Sequence, residues 1–409
     1  MSAQLPLYQV LHQRICAAVS PSVPRASVTR LALLVLGILA AKSAVLAQIA
    51  AELDALALTH ATSPDSIARR LRRTLNDAHL DQLTCYAPVL RHVLNWDQVL
   101  RGQRRVLLSV DESSKADDLH LFRVALPYWG GSLPLAWCVW QQNVALPTGY
   151  YWTAVDGVLA QVATLLPAGV EVVVLADRAY AIPPFLDRLR RYGWHWVLRL
   201  TTTGSHRWCD RHGREHALRD VLTRHLGQPG QRWRAQGCVF KDAGWRRVDL
   251  VGLWATGARE ALVVITDLRE RWGVLALYQR RFWIEPGFRS DKRKGWQWEA
   301  SQVQGVAHHE RLLLGMAWAS LVALVVGTEA ADAAVVQLAR QARRRARPSV
   351  RHARASVFTL GLRALRRWLY QATRCALRWQ LSQLDAPSWE QQWHHHQASR
   401  LIFGAPVRP

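Results

Sequence analysis

Two aspartates, Asp111 and Asp177, stand out because each directly follows an apolar run of the sequence. The runs are residues 105–110 and 172–176, and both are predicted to be buried strands. An acidic side chain at a strand end is costly to keep dry without a cation, so two on neighbouring strands could share a metal ion. Strand-end aspartates also cap helices, which leaves metal binding and capping as alternatives.

A third acid lies in a segment that reads YQRRFWIEPGFRSDK. On a helix at about 100° per residue, four side chains of this segment share one face: Tyr278, Arg281, Glu285 and Lys292. That face would present a carboxylate for a metal ion, a guanidinium that can bind phosphate through two hydrogen bonds, and an ammonium. Pro286 is expected to bend the helix, and a solvated face with ion pairs would explain the same pattern.

The elements that must position these acids are predicted in residues 101–200. The pattern there is three strands, a helix, a strand, a helix and a strand, and it is typical of a mixed α/β sheet. Gly130-Gly131 marks a hairpin between the second and third strands. Active residues of open α/β sheets gather at the carboxyl ends of strands, which is where the two aspartates fall.

The rest of the chain divides by composition into four further parts. Residues 1–100 have helical periodicity, and residues 201–269 are polar, rich in Gly, Arg and Trp, and alternate as antiparallel strands do. The second part is therefore predicted to be a β-rich insertion within the α/β unit. Residues 270–330 complete that unit with the helix of the third acid, and residues 331–409 form a helical C-terminal region.

A basic helix is predicted near the end of the N-terminal region. Ser63 is a suitable N-cap and Pro64 suits the first turn. The helix carries four arginines, Arg69, Arg70, Arg72 and Arg73. The order of helix, turn, helix, loop and basic helix is compatible with a helix-turn-helix unit that contacts DNA. A small bundle with a solvated basic face is the alternative.

The charge of the chain favours a polyanionic partner. The 409 residues carry a formal net charge of +23, from 48 Arg and 5 Lys against 30 acids, and half of the residues are apolar. Such an excess attracts nucleic acid, whose phosphates supply most of the affinity. The six cysteines form no CxxC pair, which argues against a zinc finger and a disulfide framework and favours a reducing compartment.

Two apolar runs, residues 31–41 and 312–327, need to be weighed as membrane spans. Both are shorter than the roughly 20 residues that cross a bilayer, so both are predicted to be buried core helices. The chain does not begin with a basic start and an apolar stretch, as a signal peptide would. We therefore expect no membrane partner.

Three motifs together resemble those of the DDE transposases. The spacing Y-x2-R-x3-E-x6-K from Tyr278 is similar to the signature of insertion sequence family four, a branch found in bacterial mobile elements. Val110-Asp111-Glu112-Ser113 resembles the family's first aspartate motif. Asp177-Arg178-Ala179-Tyr180 resembles the second, with Ala179 where the family usually has glycine. The resemblance covers residues 101–300.

The resemblance implies a fold and a chemistry. The fold would be an RNase H-like catalytic core interrupted by the insertion. Asp111, Asp177 and Glu285 would hold two Mg²⁺ or Mn²⁺ ions, one activating the attacking oxygen and one stabilising the leaving oxygen. Water would first hydrolyse a phosphodiester at the transposon end, and the freed 3′-hydroxyl would then attack by transesterification. Excision in the family passes through a DNA hairpin.

The resemblance also implies DNA contacts. Tyr278, Arg281 and Lys292 would contact phosphates beside the scissile bond, and Arg178 would do likewise. A base drawn from the stack would rest on an aromatic ring, for which Trp254 and Trp245 are candidates.

The partners implied are the terminal inverted repeats, the target DNA and a second copy of the chain, with residues 331–409 as the expected dimer contact. The protein would work in the bacterial cytoplasm, at the nucleoid.

Three alternatives stay open. An RNase H-like nuclease would cut without joining, a transposase-derived protein would bind DNA without cutting, and a basic membrane-surface protein would explain the charge but not the three motifs. Four acids near the motifs compete for the metal: Glu112, Asp117, Asp118 and Asp291. They rank below the three motif acids because none both ends an apolar strand and fits a motif.

Overall fold

The computed structural model describes residues 6–57, 63–116, 118–202, 206–343, 356–371 and 379–382. The strands are β1 (Arg105–Lys115), β2 (Leu119–Tyr128), β3 (Gly131–Gln141), β4 (Glu171–Ala176), β5 (His195–Arg199), β6 (Arg207–Asp210), β7 (Glu215–Ala217), β8 (Arg232–Val239), β9 (Arg246–Leu253) and β10 (Leu262–Thr266). The helices before β4 are α1 (Pro6–Ala18), α2 (Arg25–Ala41), α3 (Leu46–Ala55), α4 (Pro64–Leu75), α5 (Gln82–Cys85), α6 (Ala87–Val93), α7 (Trp96–Leu100) and α8 (Tyr150–Ala163). The later helices are α9 (Pro183–Arg191), α10 (Leu218–His225), α11 (Gly273–Gln279), α12 (Ile284–Arg289), α13 (Val306–Arg343) and α14 (Val357–Gln371).

One mixed sheet contains all ten of these strands, in the order β3-β2-β1-β4-β5-β10-β9-β8-β6-β7. β1, β2 and β3 pair antiparallel, whereas β4 pairs parallel with both β1 and β5. The predicted mixed α/β sheet is thereby confirmed. The hairpin turn is Trp129-Gly130, one residue earlier than predicted, and both residues have positive φ, as a type I′ hairpin turn requires.

The residues predicted to form a β-rich insertion continue this same sheet. β10 pairs antiparallel with β5 on one side and with β9 on the other, so the insertion joins the open edge that β5 would otherwise leave. The region also contains a helix, α10, that its polar composition did not predict. The insertion is thus connected through backbone hydrogen bonds to the strands that carry the aspartates.

The basic helix α4 begins as predicted. Ser63 accepts a hydrogen bond from the Ser66 amide at 3.3 Å, and Pro64 occupies the first turn. Its apolar face, which includes Ile67 and Leu71, is buried against neighbouring helices. The four arginines share the opposite, exposed face: Arg69, Arg70, Arg72 and Arg73.

The apolar run 312–327 is part of a much longer helix. Val306–Asp332 is long and apolar enough to cross a membrane, so the argument from a short run was wrong: polar residues at both ends lie on the same helix. The most apolar stretch of this helix is 94% buried inside the protein, which agrees with the predicted core helix. α14 crosses it closely where two glycines meet, since a Cβ on Gly327 or Gly361 would collide with the backbone of the other helix.

The predicted C-terminal region 331–409 lies mostly outside the described residues. α13, α14 and residues 379–382 are its described parts. The expected dimer contact in this region therefore stays a prediction.

A buried ion pair joins the sheet to the segment that follows α12. Arg123 on β2 donates to Asp291 at 2.5 Å, and both side chains are at most 6% exposed. The guanidinium of Arg123 also lies over the ring of Phe288 on α12, 4.9 Å from its centroid. The pair couples the end of the α12 segment to the same sheet that carries Asp111.

Removing one partner of this pair should destabilise the protein strongly. We expect Asp291→Ala to cost about 3–5 kcal/mol, because it leaves the Arg123 charge buried without a partner. Thermal unfolding would show a large fall in Tm. Lys241→Ala, which breaks the exposed pair with Glu215, is the control and should cost no more than about 1 kcal/mol. Equal effects of the two substitutions would contradict a buried, unscreened pair.

Candidate active site

The two aspartates lie side by side at the end of the parallel pairing between β1 and β4. The register of this pairing ends at Val110↔Ala176, and the next residues on the two strands are Asp111 and Asp177. The prediction that Asp111 ends its strand was wrong, because β1 continues to Lys115. The cause is β2, which goes on pairing with β1 as far as Lys115 after β4 has ended.

The third acid lies on a helical segment whose hydrogen bonding changes three times. α11 passes into a 3-10 turn at Arg280–Trp283, then into α12, and then into a π-helical turn at Ser290–Lys294. Pro286 lies in the first turn of α12, where its missing amide hydrogen costs little. The backbone at each junction stays right-handed helical while the helix type changes, and the expected bend stays a prediction.

Gly287 allows α12 to approach β3. A Cβ at this position would collide with the hydroxyl oxygen of Ser132 on β3. The neighbouring Glu285 is therefore carried on a helix that packs directly on the sheet.

The guanidinium of Arg281 lies between the three acids. Its Nη2 donates to Asp111 Oδ2 at 2.9 Å and is 3.9 Å from Asp177 Oδ2, while its Nη1 donates to Glu285 Oε1 at 2.7 Å. The Arg281 side chain is only 9% exposed. Its Nε is buried and lacks a hydrogen-bond partner among the described residues. Acids from three distant parts of the chain thus surround one cation.

Each aspartate uses its two oxygens differently. Asp111 Oδ1 accepts from the Glu112 amide at 3.0 Å, and Asp177 Oδ1 accepts from the Ala179 amide at 2.9 Å. In both residues the second oxygen faces Arg281. Of the two alternatives, Asp177 shows helix capping, because one of its oxygens caps the 3-10 turn Arg178–Tyr180, whereas metal binding stays a prediction.

Burial and like charges make Asp111 the most perturbed of the three acids. Burial raises the pKa of Asp111 to about 6, the positive charge of Arg281 opposes this rise, and Asp177 and Glu285 add to it. Burial lowers the pKa of Arg281. The negative charges of the surrounding acids raise it by more, so the net shift is upward. The site thus holds more negative charge than one guanidinium neutralises.

The chemistry of the three acids suits divalent metal ions. Mg²⁺ and Mn²⁺ prefer carboxylate oxygens, and three carboxylate groups are available here. As the side chains stand, no group of three or more His, Cys, Asp or Glu in the described ranges converges on one metal position. The guanidinium of Arg281 takes the central place, so these acids would hold metal ions only if Arg281 turned aside.

The other residues predicted to contact phosphate have different surroundings. Tyr278 is 1% exposed and packs edge-on against Phe282, with ring centroids 5.8 Å apart. Lys292 lies 3.8 Å from a carboxylate oxygen of Glu299. Arg178 is exposed beside Asp177. Their contacts with DNA stay predictions.

A cavity that the sequence did not reveal lies mostly in the insertion, with Arg271 and Trp272 lining it from just beyond residue 269. Its volume is about 830 Å³, and aromatic and basic side chains line it, among them Trp208, Trp233, Trp272, Arg211, Arg224 and Arg271. Trp254 is not among the lining residues, and its indole N–H donates to the Ala258 carbonyl at 3.0 Å. The abundance of Trp and Arg was visible in the sequence, but only the pairing of the insertion strands shows which of them meet.

The competing acids bind other partners. Glu112 accepts from Tyr151 and Tyr180, Asp291 pairs with Arg123, and Asp118 lies 3.8 Å from Lys115. Asp117 lies outside the described residues. The three described competitors thus have partners other than Arg281.

The raised pKa of Asp111 predicts a pH-dependent gain in stability from Asp111→Asn. The charged form of Asp111 is disfavoured in the folded protein, so the contribution of Asp111 to wild-type stability falls as pH rises from about 4 to about 6. Removing the charge should stabilise the protein increasingly over this range, by about 3 kcal/mol above pH 7. Unfolding would be measured at pH 4, 6 and 8, with the exposed Asp242→Asn as control. A gain in stability that shrinks with rising pH would contradict a raised pKa for Asp111.

Three comparisons with known proteins differ in what they support. No curated protein matches the sequence. The piggyBac transposase, in a cryo-EM structure of its synaptic complex with hairpin DNA, is 11% identical over 100% of this chain and 84% of that chain. Its TM-score of 0.41 is below the level that defines a shared fold. Residues 153–322, which include Asp177 and Glu285 but not Asp111, match the family model of the transposase DDE domain, and this match supports a DDE transposase.

Proposed function

We propose that the protein is a DDE transposase that cuts DNA at the ends of a bacterial insertion sequence and joins those ends to target DNA. The observation that carries the proposal is the convergence of Asp111, Asp177 and Glu285 on one cation. Two of the three lie in the segment that matches the transposase DDE domain. The antiparallel β1–β3 strands followed by parallel β4 and β5 suit an RNase H-like core, with residues 201–269 inserted before Glu285.

The three acids would hold two Mg²⁺ or Mn²⁺ ions, which supply the charge that activates the attacking oxygen and stabilises the leaving oxygen. The chain itself supplies position. β1 and β4 fix the two aspartates where their parallel pairing ends, and α12 presents Glu285 to the other terminal nitrogen of Arg281. The hydrolysis and the later attack by the 3′-hydroxyl are both in-line displacements at phosphorus, so one set of acids serves both.

Arg281 would serve two states of the site. Without metal ions its guanidinium would offset part of the charge of the acids, and its distances to Asp111 and Glu285 support this role. Once metal ions take its place, it would turn to a phosphate beside the scissile bond, where its fork can donate two hydrogen bonds. The unpartnered Nε leaves it a donor for that contact. The same DNA strand would also be contacted by Tyr278, Lys292 and Arg178.

DNA would be bound over a wider surface. The exposed arginines of α4 suit the duplex near the transposon end, and the net charge of +23 favours association with DNA over its whole length. The aromatic and basic cavity of the insertion suits an unpaired or hairpin strand, since bases stack on aromatic rings and phosphates pair with arginine. Trp254 stays a further candidate for this role.

Two copies of the chain would hold the two transposon ends together, with the C-terminal region as the contact. The protein would act on DNA at the nucleoid in the cytoplasm, without a membrane partner.

Cleavage of end DNA tests the proposal directly. Purified protein would be incubated with Mg²⁺ and linear DNA that carries the inverted repeats flanking its gene. We expect wild type to cleave at the repeat ends and Glu285→Gln to lose at least a hundredfold in rate, because the amide cannot replace a charged ligand. Hairpin ends would identify the excision route, and joined products would identify strand transfer.

The alternatives predict different results in the same assay. Cleavage without joined products would indicate a nuclease. Binding without cleavage by either protein would indicate a catalytically inactive DNA-binding protein. Equal cleavage by both proteins would show that Glu285 is the wrong glutamate.

Salt dependence tests the role of α4. Replacing Arg70 and Arg73 by Ala should lower the slope of log K against log salt for end DNA by about 2, because two phosphate contacts are lost. The matched control replaces Arg190 and Arg191, two exposed arginines of α9, and should leave the slope unchanged. Fluorescence anisotropy over a salt series provides the slopes. The same change in both double variants would argue against a specific role for α4.

A further inference from the structure

Glu112 lies on the opposite face of β1 from its neighbour Asp111. Successive side chains of a strand point to opposite faces. Asp111 faces Arg281, whereas Glu112 faces α8 and the turn that follows β4. A carboxylate next to a catalytic acid is thus directed away from the acids that surround the guanidinium.

Three groups bind the Glu112 carboxylate. Oε1 accepts from the hydroxyl of Tyr151 at 2.7 Å and from the hydroxyl of Tyr180 at 3.1 Å. Oε2 lies 3.1 Å from Nε2 of His120, whose ring is stacked on Trp140 with centroids 5.3 Å apart. Glu112 therefore links β1 to β2, to α8 and to the turn after β4.

Tyr180 connects this carboxylate to Asp177. Asp177 precedes the short 3-10 turn Arg178–Tyr180 and Tyr180 ends it, and Asp177 Oδ1 accepts from the Ala179 amide within the turn at 2.9 Å. Tyr180 is 3% exposed and its ring lies against Phe122 and Phe185. An anchor on Tyr180 thus restrains the turn, and the turn restrains the Asp177 carboxylate.

We propose that Glu112 is a positioning residue that acts through Tyr180 to hold Asp177 beside Asp111. Parallel pairing ends at Val110↔Ala176, so beyond this point no backbone bond of the β1–β4 ladder fixes the spacing of the two acids. The side-chain bridge from Glu112 to Tyr180 spans that gap. The inference rests on the proposed function for its catalytic consequence, but the restraint itself is a property of the DNA-free protein.

Tyr151 provides a matched control. It donates to the same oxygen of Glu112 as Tyr180 does, but from α8 and not from the Asp177 turn. Tyr151→Phe and Tyr180→Phe each remove one hydroxyl and one hydrogen bond. A general packing role predicts equal effects, and a positioning role predicts that only Tyr180→Phe disturbs Asp177.

The experiment measures the turn and the site separately in the full-length protein. Hydrogen exchange would follow the peptide that contains the Ala179 amide, and electron paramagnetic resonance would follow Mn²⁺ binding without DNA. We expect Tyr180→Phe to speed exchange in this peptide about tenfold and to weaken Mn²⁺ binding about tenfold. Tyr151→Phe should change either quantity less than twofold, with a similar shift in Tm.

Two substitutions of Glu112 complete the test. Glu112→Gln keeps an oxygen that can accept from Tyr180 and should retain nearly wild-type exchange, whereas Glu112→Ala should match Tyr180→Phe. Equal exchange in the two Phe variants would overturn the inference. Weakened Mn²⁺ binding in Glu112→Gln with normal exchange would also overturn it, because Glu112 would then act as a ligand. Wild type that binds no Mn²⁺ would contradict the proposed function, while the exchange comparison would still decide the role of Glu112.

Discussion

The site depends on the compensation of three negative charges by one buried guanidinium. Asp111, Asp177 and Glu285 come from two strands and a helix far apart in the chain, and their mutual repulsion opposes bringing them together. Arg281 offsets part of that repulsion, yet burial still raises the pKa of Asp111 to about 6. The protein therefore holds an excess of negative charge in a place that suits further cations. The remaining architecture can be understood as the scaffold that sustains this unfavourable arrangement.

That scaffold supports the acids from both faces of the sheet. On one face the buried Arg123–Asp291 pair couples β2 to the segment after α12, and Gly287 lets α12 approach β3. On the other face Glu112 links β1 to the turn after β4 through Tyr180. β1 extends beyond its parallel partner because β2 continues to pair with it, and this extension carries Glu112 as well as Asp111. The two faces thus restrain different acids, Glu285 on one and Asp177 on the other.

The distribution of charge suits a protein that cuts a polyanion. The acids are gathered around one guanidinium, while arginines are exposed on α4 and line the cavity of the insertion. The positive surfaces would bind the DNA phosphates over a distance, and the acidic centre would remain free of phosphate until cations neutralise it. In the proposed mechanism Arg281 moves from the acids to the DNA. The same residue therefore offsets the charge of the acidic centre and contributes to DNA binding. The insertion is attached to the same sheet as the acids because β10 pairs with β5.

Much of this protein could be predicted from local sequence. The apolar runs before Asp111 and Asp177 predicted their strands, Ser63 and Pro64 predicted the start of α4, and the spacing from Tyr278 to Lys292 placed Arg281 and Glu285 one helical turn apart. These features depend on neighbours within a few residues, where periodicity and capping act. The tertiary structure alone decided that Arg281 lies among the acids, that Tyr278 is buried, that Glu112 binds Tyr180, and which tryptophans surround the insertion cavity. Those contacts join residues tens to hundreds of positions apart, and strand pairing and side-chain packing determine them, which no local pattern encodes.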